Sequence, residues 1–235
     1  MSGMSAQPAT GASTDSRRSA VSARRRRREA DILDATRALF DARGVRDAQI
    51  EDIARAVGVN RAIIYRHFAG KEELFALTLV GYLDELAAAL KAADSADAAP
   101  EQRLRTITAT FVDYGLAYPA FVDCALTLMR SGAELPDEVS EGAMYRLGRG
   151  ISGCLATVAA TITSGVQSGV FHTDDVDLLA NTLYASGLGA LQLARVGMVV
   201  KEAAPGVPTT AALSPQQVKE HLIAASVAMA VGASA

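Results

Sequence analysis

"GVNRAIIYRHF", residues 58–68, decides how the rest of this chain is read. Gly58 and Val59 make a tight connection. Asn60 then serves as a helix N-cap, since its side-chain oxygen can accept an N–H that the first turn leaves unpaired. With Asn60 as cap, Val59 and Ile64 occupy the two positions of a hydrophobic staple, which turns Ile64 inward. At about 100° per residue, Phe68 shares that inner face, while Ala62 and Arg66 lie opposite. Ile63 and Tyr65 flank the outer face. One isoleucine anchors the helix, and its neighbour sits at the edge of the exposed side.

Upstream, Ile50, Ile53, Ala54 and Val57 repeat at i, i+3, i+4, i+7, and Gly58 ends the pattern. Before them, Ile32, Leu33, Leu39 and Phe40 recur at helical spacing, and Gly44 stands where a left-handed C-terminal residue is wanted. Two short helices across a three-residue glycine turn, the second with small and basic residues outward, describe a helix-turn-helix.

The charge distribution agrees. Residues 1–71 hold 14 Lys/Arg against 8 Asp/Glu, a net +6, whereas residues 72–235 hold 9 against 18, a net −9. A basic front on an acidic body points to a polyanion met at one end. Residues 1–23, rich in Ser, Ala, Gly and Thr without an apolar period, read as a disordered arm. Five consecutive arginines at 24–28 complete it.

Behind the helix-turn-helix, helices are expected at about 72–90, 100–117, 119–131, 136–168, 174–200 and 214–231. Prolines 100, 119, 136 and 215 fall in first turns, where a missing N–H costs little. Residues 91–100 read as a linker and 201–213 as a loop. The expected fold class is all-α, with a basic arm over 1–28, a three-helix head over 29–75 and a helical body over 76–235. Neither uncharged stretch, 150–173 or 178–194, suits a membrane span, because both are studded with polar residues. Cys124 and Cys154 lack a CxxC or Cys/His setting, so buried thiols in a reducing cytoplasm are expected and no metal or cofactor.

The stretch from about residue 32 to 77 resembles the DNA-binding domain of the TetR (tetracycline repressor) family. The residues that carry the resemblance are Gly44, Ile53-Ala54, Gly58-Val59, Tyr65-Arg66-His67-Phe68 and Lys71-Glu72. Three positions depart from the family pattern. Gln49 replaces a usual Ser or Thr cap, Ala62 a frequent Gly and Ile63 a frequent Thr or small residue. The last two alter the face toward DNA, so relatives' operators cannot be borrowed.

The resemblance implies duplex DNA as a partner, a small-molecule effector and a homodimer. On the head, Arg66 is placed for a bidentate contact to guanine, and Ala62 for close approach to a thymine methyl. Ile63 either does the same or packs against the preceding helix. Tyr65 and Lys71 match phosphate-holding positions of the family, and Asn60, Arg61 and Gln49 complete the candidate set. Arg24, Arg25, Arg26, Arg27 and Arg28 enter a minor groove if extended, line the backbone if helical, or form a solvated charge run. His67 reads as packed and structural.

In the body, Tyr82, Phe111, Tyr114, Phe121, Met129, Met144, Tyr145 and Tyr184 read mostly as core, and they are also the candidate linings of the largely apolar effector pocket that the resemblance implies. Small residues at Ser186, Ala190, Ala194, Ala224, Ala225 and Ala228 mark the faces expected to pair in the dimer. Arg103, Arg105, Arg146 and Arg149 are either anion anchors or salt-bridge members. "GRGISG" at 148–153 spells GxGxxG but lies in a helical pattern with no preceding strand, so no dinucleotide site is read there. The reading is a palindrome-binding, ligand-responsive regulator of the repressor kind. The alternatives are a sequence-tolerant DNA-binding protein without effector, or an enzyme using the body pocket.

Overall fold

The computed structural model describes residues 11–131 and 139–232. Residues 1–10 of the arm, and Pro136 at the start of the expected 136–168 helix, lie outside them. The helices are α1 (Gly11–Arg43), α2 (Ile50–Val57), α3 (Arg61–His67), α4 (Lys71–Ala93), α5 (Pro100–Ala117), α6 (Pro119–Ser131), α7 (Glu141–Gln167), α8 (Val176–Val196) and α9 (Pro215–Val231). The fold is a helix-turn-helix head on a helical body.

Two expectations are corrected. The stretch 11–28 is not an unstructured arm: α1 runs without a break from Gly11 to Arg43. Alanine and arginine are strong helix formers, and no glycine or proline interrupts residues 12–43. The loop at 201–213 is mostly a β-hairpin, in which β1 (Met198–Ala204) pairs antiparallel with β2 (Val207–Ala212). Gly206, at φ 77°, makes its turn, and a Leu213 N–H to Gly197 carbonyl bond of 2.9 Å closes its base.

The head is built from the spacing described above. Ile32, Thr36 and Phe40 of α1 are buried one turn apart, against Ile50, Ile53 and Ala54 of α2 and Ile64 and Phe68 around α3. Gly58 ends α2 in the left-handed conformation, φ 71°. Its N–H bonds the Arg55 carbonyl (3.2 Å) and that of Val59 bonds the Ala54 carbonyl (2.9 Å), the two bonds of a Schellman turn. Gln49 precedes α2 without a side-chain cap, in keeping with its replacement of Ser or Thr.

α4 passes unbroken through the 75/76 border and becomes the axis of the body, with Leu79, Tyr82, Leu83 and Leu86 fully buried. α7 packs along it. A Cβ at Gly150 would stand 3.2 Å from the Leu83 Cβ, so this glycine of the GxGxxG string serves close helix packing. Glu73 ties three segments together: its carboxylate accepts from the Ala69 N–H and the Ser140 hydroxyl, and Ser140 caps α7.

Candidate nucleic-acid interface

α3 is seven residues long and fixed from both ends. Asn60 Oδ1 accepts the Ile63 N–H at 3.1 Å. Val59 packs half-buried on the core cluster that contains Ile64, itself 1 % exposed. With Ile64 and Phe68 inside, Ala62, Tyr65 and Arg66 face solvent and Ile63 is half-buried. Arg61 pairs with Glu51 of α2 at 2.6 Å, and its guanidinium lies 5.7 Å from the Tyr65 ring centre. These contacts hold its charge and raise its pKa, first through the Tyr65 hydroxyl and then through Glu51. Lys71 sits over Phe75, its Nζ 5.0 Å from the ring centre. His67 packs beside Phe68, and its Nδ1 is buried without a hydrogen-bond partner among the described residues.

The helical course of α1 matters here. Arg24, Arg25, Arg26, Arg27 and Arg28 are all exposed. Val21, Arg24, Arg25 and Arg28, spaced at three and four, turn toward α3. There they form an open groove of about 520 Å³ with Val59, Ile63, Arg66 and His67. One surface therefore carries Arg24, Arg25 and Arg28 of α1 and the outer edge of α3. Arg26 and Arg27 lie off that groove, and Gln49 is exposed before α2.

The body holds an apolar cavity of about 40 Å³. Phe111 and Tyr184 line it with Leu104, Ile107, Cys154 and Leu183, and Thr108 and Ser226 add hydroxyls. Burial pushes the Cys154 thiol up to about 12, and its Sγ donates to the Leu83 carbonyl. The other sequence candidates for this pocket are elsewhere. Tyr82 and Phe121 are fully buried in the main core, and Tyr114 and Met144 pack against it. Met129 and Tyr145 are exposed. Aromatic character alone could not separate them, since which turn of a buried helix faces a gap is a tertiary matter.

Head and body are joined by a cluster that the sequence did not reveal. Arg37 of α1 donates to both carboxylate oxygens of Glu85 on α4, with Nη2 to Oε2 at 2.6 Å. Its guanidinium lies 4.3 Å from the Tyr82 ring centre and 5.3 Å from that of Tyr118. Tyr82 donates to Asp41 of α1 (2.6 Å), and Tyr114 donates to the Tyr82 carbonyl (2.9 Å). The Arg37 hydrogen bonds hold the Glu85 carboxyl below its usual range. Arg103 and Arg146 are salt-bridged, to Asp94 and Glu29, both at 2.7 Å.

On α8, Ser186 is exposed and Ala190 half-buried, but Ala194 is buried within the protomer, which corrects its place on the expected pairing face. On α9, Ala224 and Ala228 are exposed and Ala225 is half-buried. Leu178, Leu193 and Val196 extend the outward stripe of α8 with large apolar side chains. Among the described residues no helix is long and apolar enough to cross a membrane, and no group of three His, Cys, Asp or Glu could hold a metal.

Residues 32–78 match the family described as bacterial regulatory proteins, tetR family. The HTH-type transcriptional repressor KstR2 of Mycobacterium tuberculosis is 36 % identical over 78 residues, 33 % of this chain and 39 % of KstR2. The HTH-type transcriptional activator FasR of Mycolicibacterium smegmatis is 31 % identical over 87 residues, 37 % of this chain and 40 % of FasR. The chain thus matches about two fifths of these relatives' length. Solved structures match over far more. RolR in complex with resorcinol aligns with a TM-score of 0.64 at 18 % identity, over 89 % of this chain and 90 % of RolR. The KstR2 structure aligns with a TM-score of 0.55 at 23 % identity, over 85 % and 93 %. The chain carries a TetR-family head and has the TetR-family fold.

Proposed function

We propose that this protein is a cytoplasmic, homodimeric transcriptional repressor that reads a palindromic operator through α3 and lets go when a small, largely apolar molecule enters the body cavity. The observation that carries the reading is the division of α3: Ile64 and Phe68 lock its inner side, which leaves Ala62 and Arg66 outward. A helix this short can set only a few side chains against base edges. Arg66 is assigned to guanine and Ala62 to close approach. Tyr65, Lys71, Asn60, Arg61 and Gln49 are assigned to the backbone around them, and Ile63 to the groove's apolar edge. Arg24, Arg25 and Arg28 extend the cationic surface next to α3, with Arg26 and Arg27 adding field.

The dimer is assigned to α8 and α9. Their outward stripes contain Leu178, Ser186, Leu193, Val196, Ala224 and Ala228, without a charge among them. A two-fold axis through such a surface gives two heads and hence a palindromic site.

The effector mechanism follows from the size of the cavity. Ligand sites of this kind hold about 300–1,000 Å³, and this one holds about 40 Å³. A ligand enters only as α5, α7 and α8 move apart. Phe111 on α5 lines the cavity, and one turn on Tyr114 touches Tyr82 and Glu85, which hold α1. Displacing α5 therefore moves the head, and a ligand that binds the displaced form lowers DNA affinity.

The exposed arginines at 24–28 favour a second reading, sequence-tolerant DNA binding without an effector. Selection of bound fragments from a random duplex library at about 150 mM salt separates the two. A two-fold symmetric consensus supports the repressor, and recovery of unenriched sequence supports the tolerant binder.

A further inference from the structure

We propose that the polar crevice between head and body is a binding site for a small phosphate-bearing compound. It encloses about 600 Å³. Arg43 at the end of α1 and residues 44–47 of the following turn form one wall. Asp123, Leu126, Thr127 and Arg130 of α6, with Gln192 and Arg195 of α8, form the other. The spacings 123, 127, 130 and 192, 195 put each set on one helix face. The crevice shares no residue with the apolar cavity or with the groove beside α3.

Four arginines and two aspartates line it, an excess of two positive charges. Asp123 is occupied, since Arg195 donates to it at 2.6 Å and Gln192 at 3.4 Å. Arg43 reaches Asp52 only at 3.9 Å. Arg130 donates to the Thr127 hydroxyl at 3.2 Å, and no carboxylate pairs with it or with Arg46 among the described residues. Guanidinium forks with open donors on facing walls match the several oxygens of a phosphate group. A ligand held by Arg46 of the head and Arg130 of the body favours the arrangement in which both reach it.

Isothermal titration of the full chain with inorganic pyrophosphate tests this without any DNA, so failure of the regulator reading leaves it intact. Saturable binding of one pyrophosphate per chain is expected, weakened about tenfold or more in Arg46→Ala and in Arg130→Ala. Hydrogen exchange is expected to slow on both walls, at 43–47 and 123–130. Absence of saturable binding, equal binding by the variants, or protection of one wall alone would overturn the proposal. Equal affinity for succinate would overturn the phosphate assignment.

Discussion

Arg37 sits over the Tyr82 ring, its guanidinium carbon 4.3 Å from the ring centre, while the same side chain forks onto Glu85. Arg37 belongs to the head and Tyr82 to the axis of the body, so one side chain couples the two by a cation–π contact and by an ion pair. Glu85 is half exposed, so its share is the modest one of a partly screened pair. Replacing Arg37 by alanine is expected to cost about 1 kcal/mol, the sum of a cation–π contact and an exposed bidentate pair. A double-mutant cycle with Glu85→Ala, read by urea unfolding, measures the coupling, and Arg37→Lys should recover little of it because it cannot fork.

The Glu85 carboxyl gives this joint a pH dependence of known sign. Arg37 holds its folded-state pKa below the ordinary range, so its stabilisation is present above the unfolded value of about 4.3 and disappears as pH falls through the lowered folded value. Unfolding free energy should therefore be flat across neutral pH for this pair. The difference between wild type and Glu85→Gln should shrink below about pH 4.

Ile64 carries the orientation of α3. Ile64→Ala removes a fully buried side chain and is expected to destabilise the chain by about 2–5 kcal/mol, with DNA binding abolished through the disordered head. Thermal unfolding monitored beside DNA titration checks it. Ala62→Ser on the outer face should leave the melting temperature unchanged.

The arginines of α1 are expected to act through phosphates. Truncation at Glu29 should flatten the slope of log K against log salt by about 0.9 for each phosphate no longer neutralised, and leave the preferred site unaltered. Fluorescence anisotropy across a salt series gives the slope. An unchanged slope would assign these residues to solvent.

The head is legible because its information is local. The spacing of Ile50, Ile53 and Ile64, the glycine at 58 and the cap at Asn60 each fix one feature within a turn or two. The course of α1 escapes a reading that weighs charge and low hydropathy above helix propensity, although nothing in residues 12–28 breaks a helix. The hairpin has a signal, Pro205-Gly206 between Val199-Val200 and Val207, that the long helical pattern before it masks. The Arg37–Glu85 joint spans 48 positions and the crevice unites three distant segments, and no periodicity reports such meetings. For the same reason only Phe111 and Tyr184, of eight aromatic and methionine candidates, reach the cavity.

The outward face of α3 as the reader of base pairs is tested most directly by comparing wild type with Arg66→Ala in parallel selections from one random duplex library. The account requires the variant to lose preference at one symmetric pair of positions, about 1–3 kcal/mol per base pair, while the remainder of the site and the melting temperature persist. An identical preferred site bound with identical affinity by both proteins would contradict it.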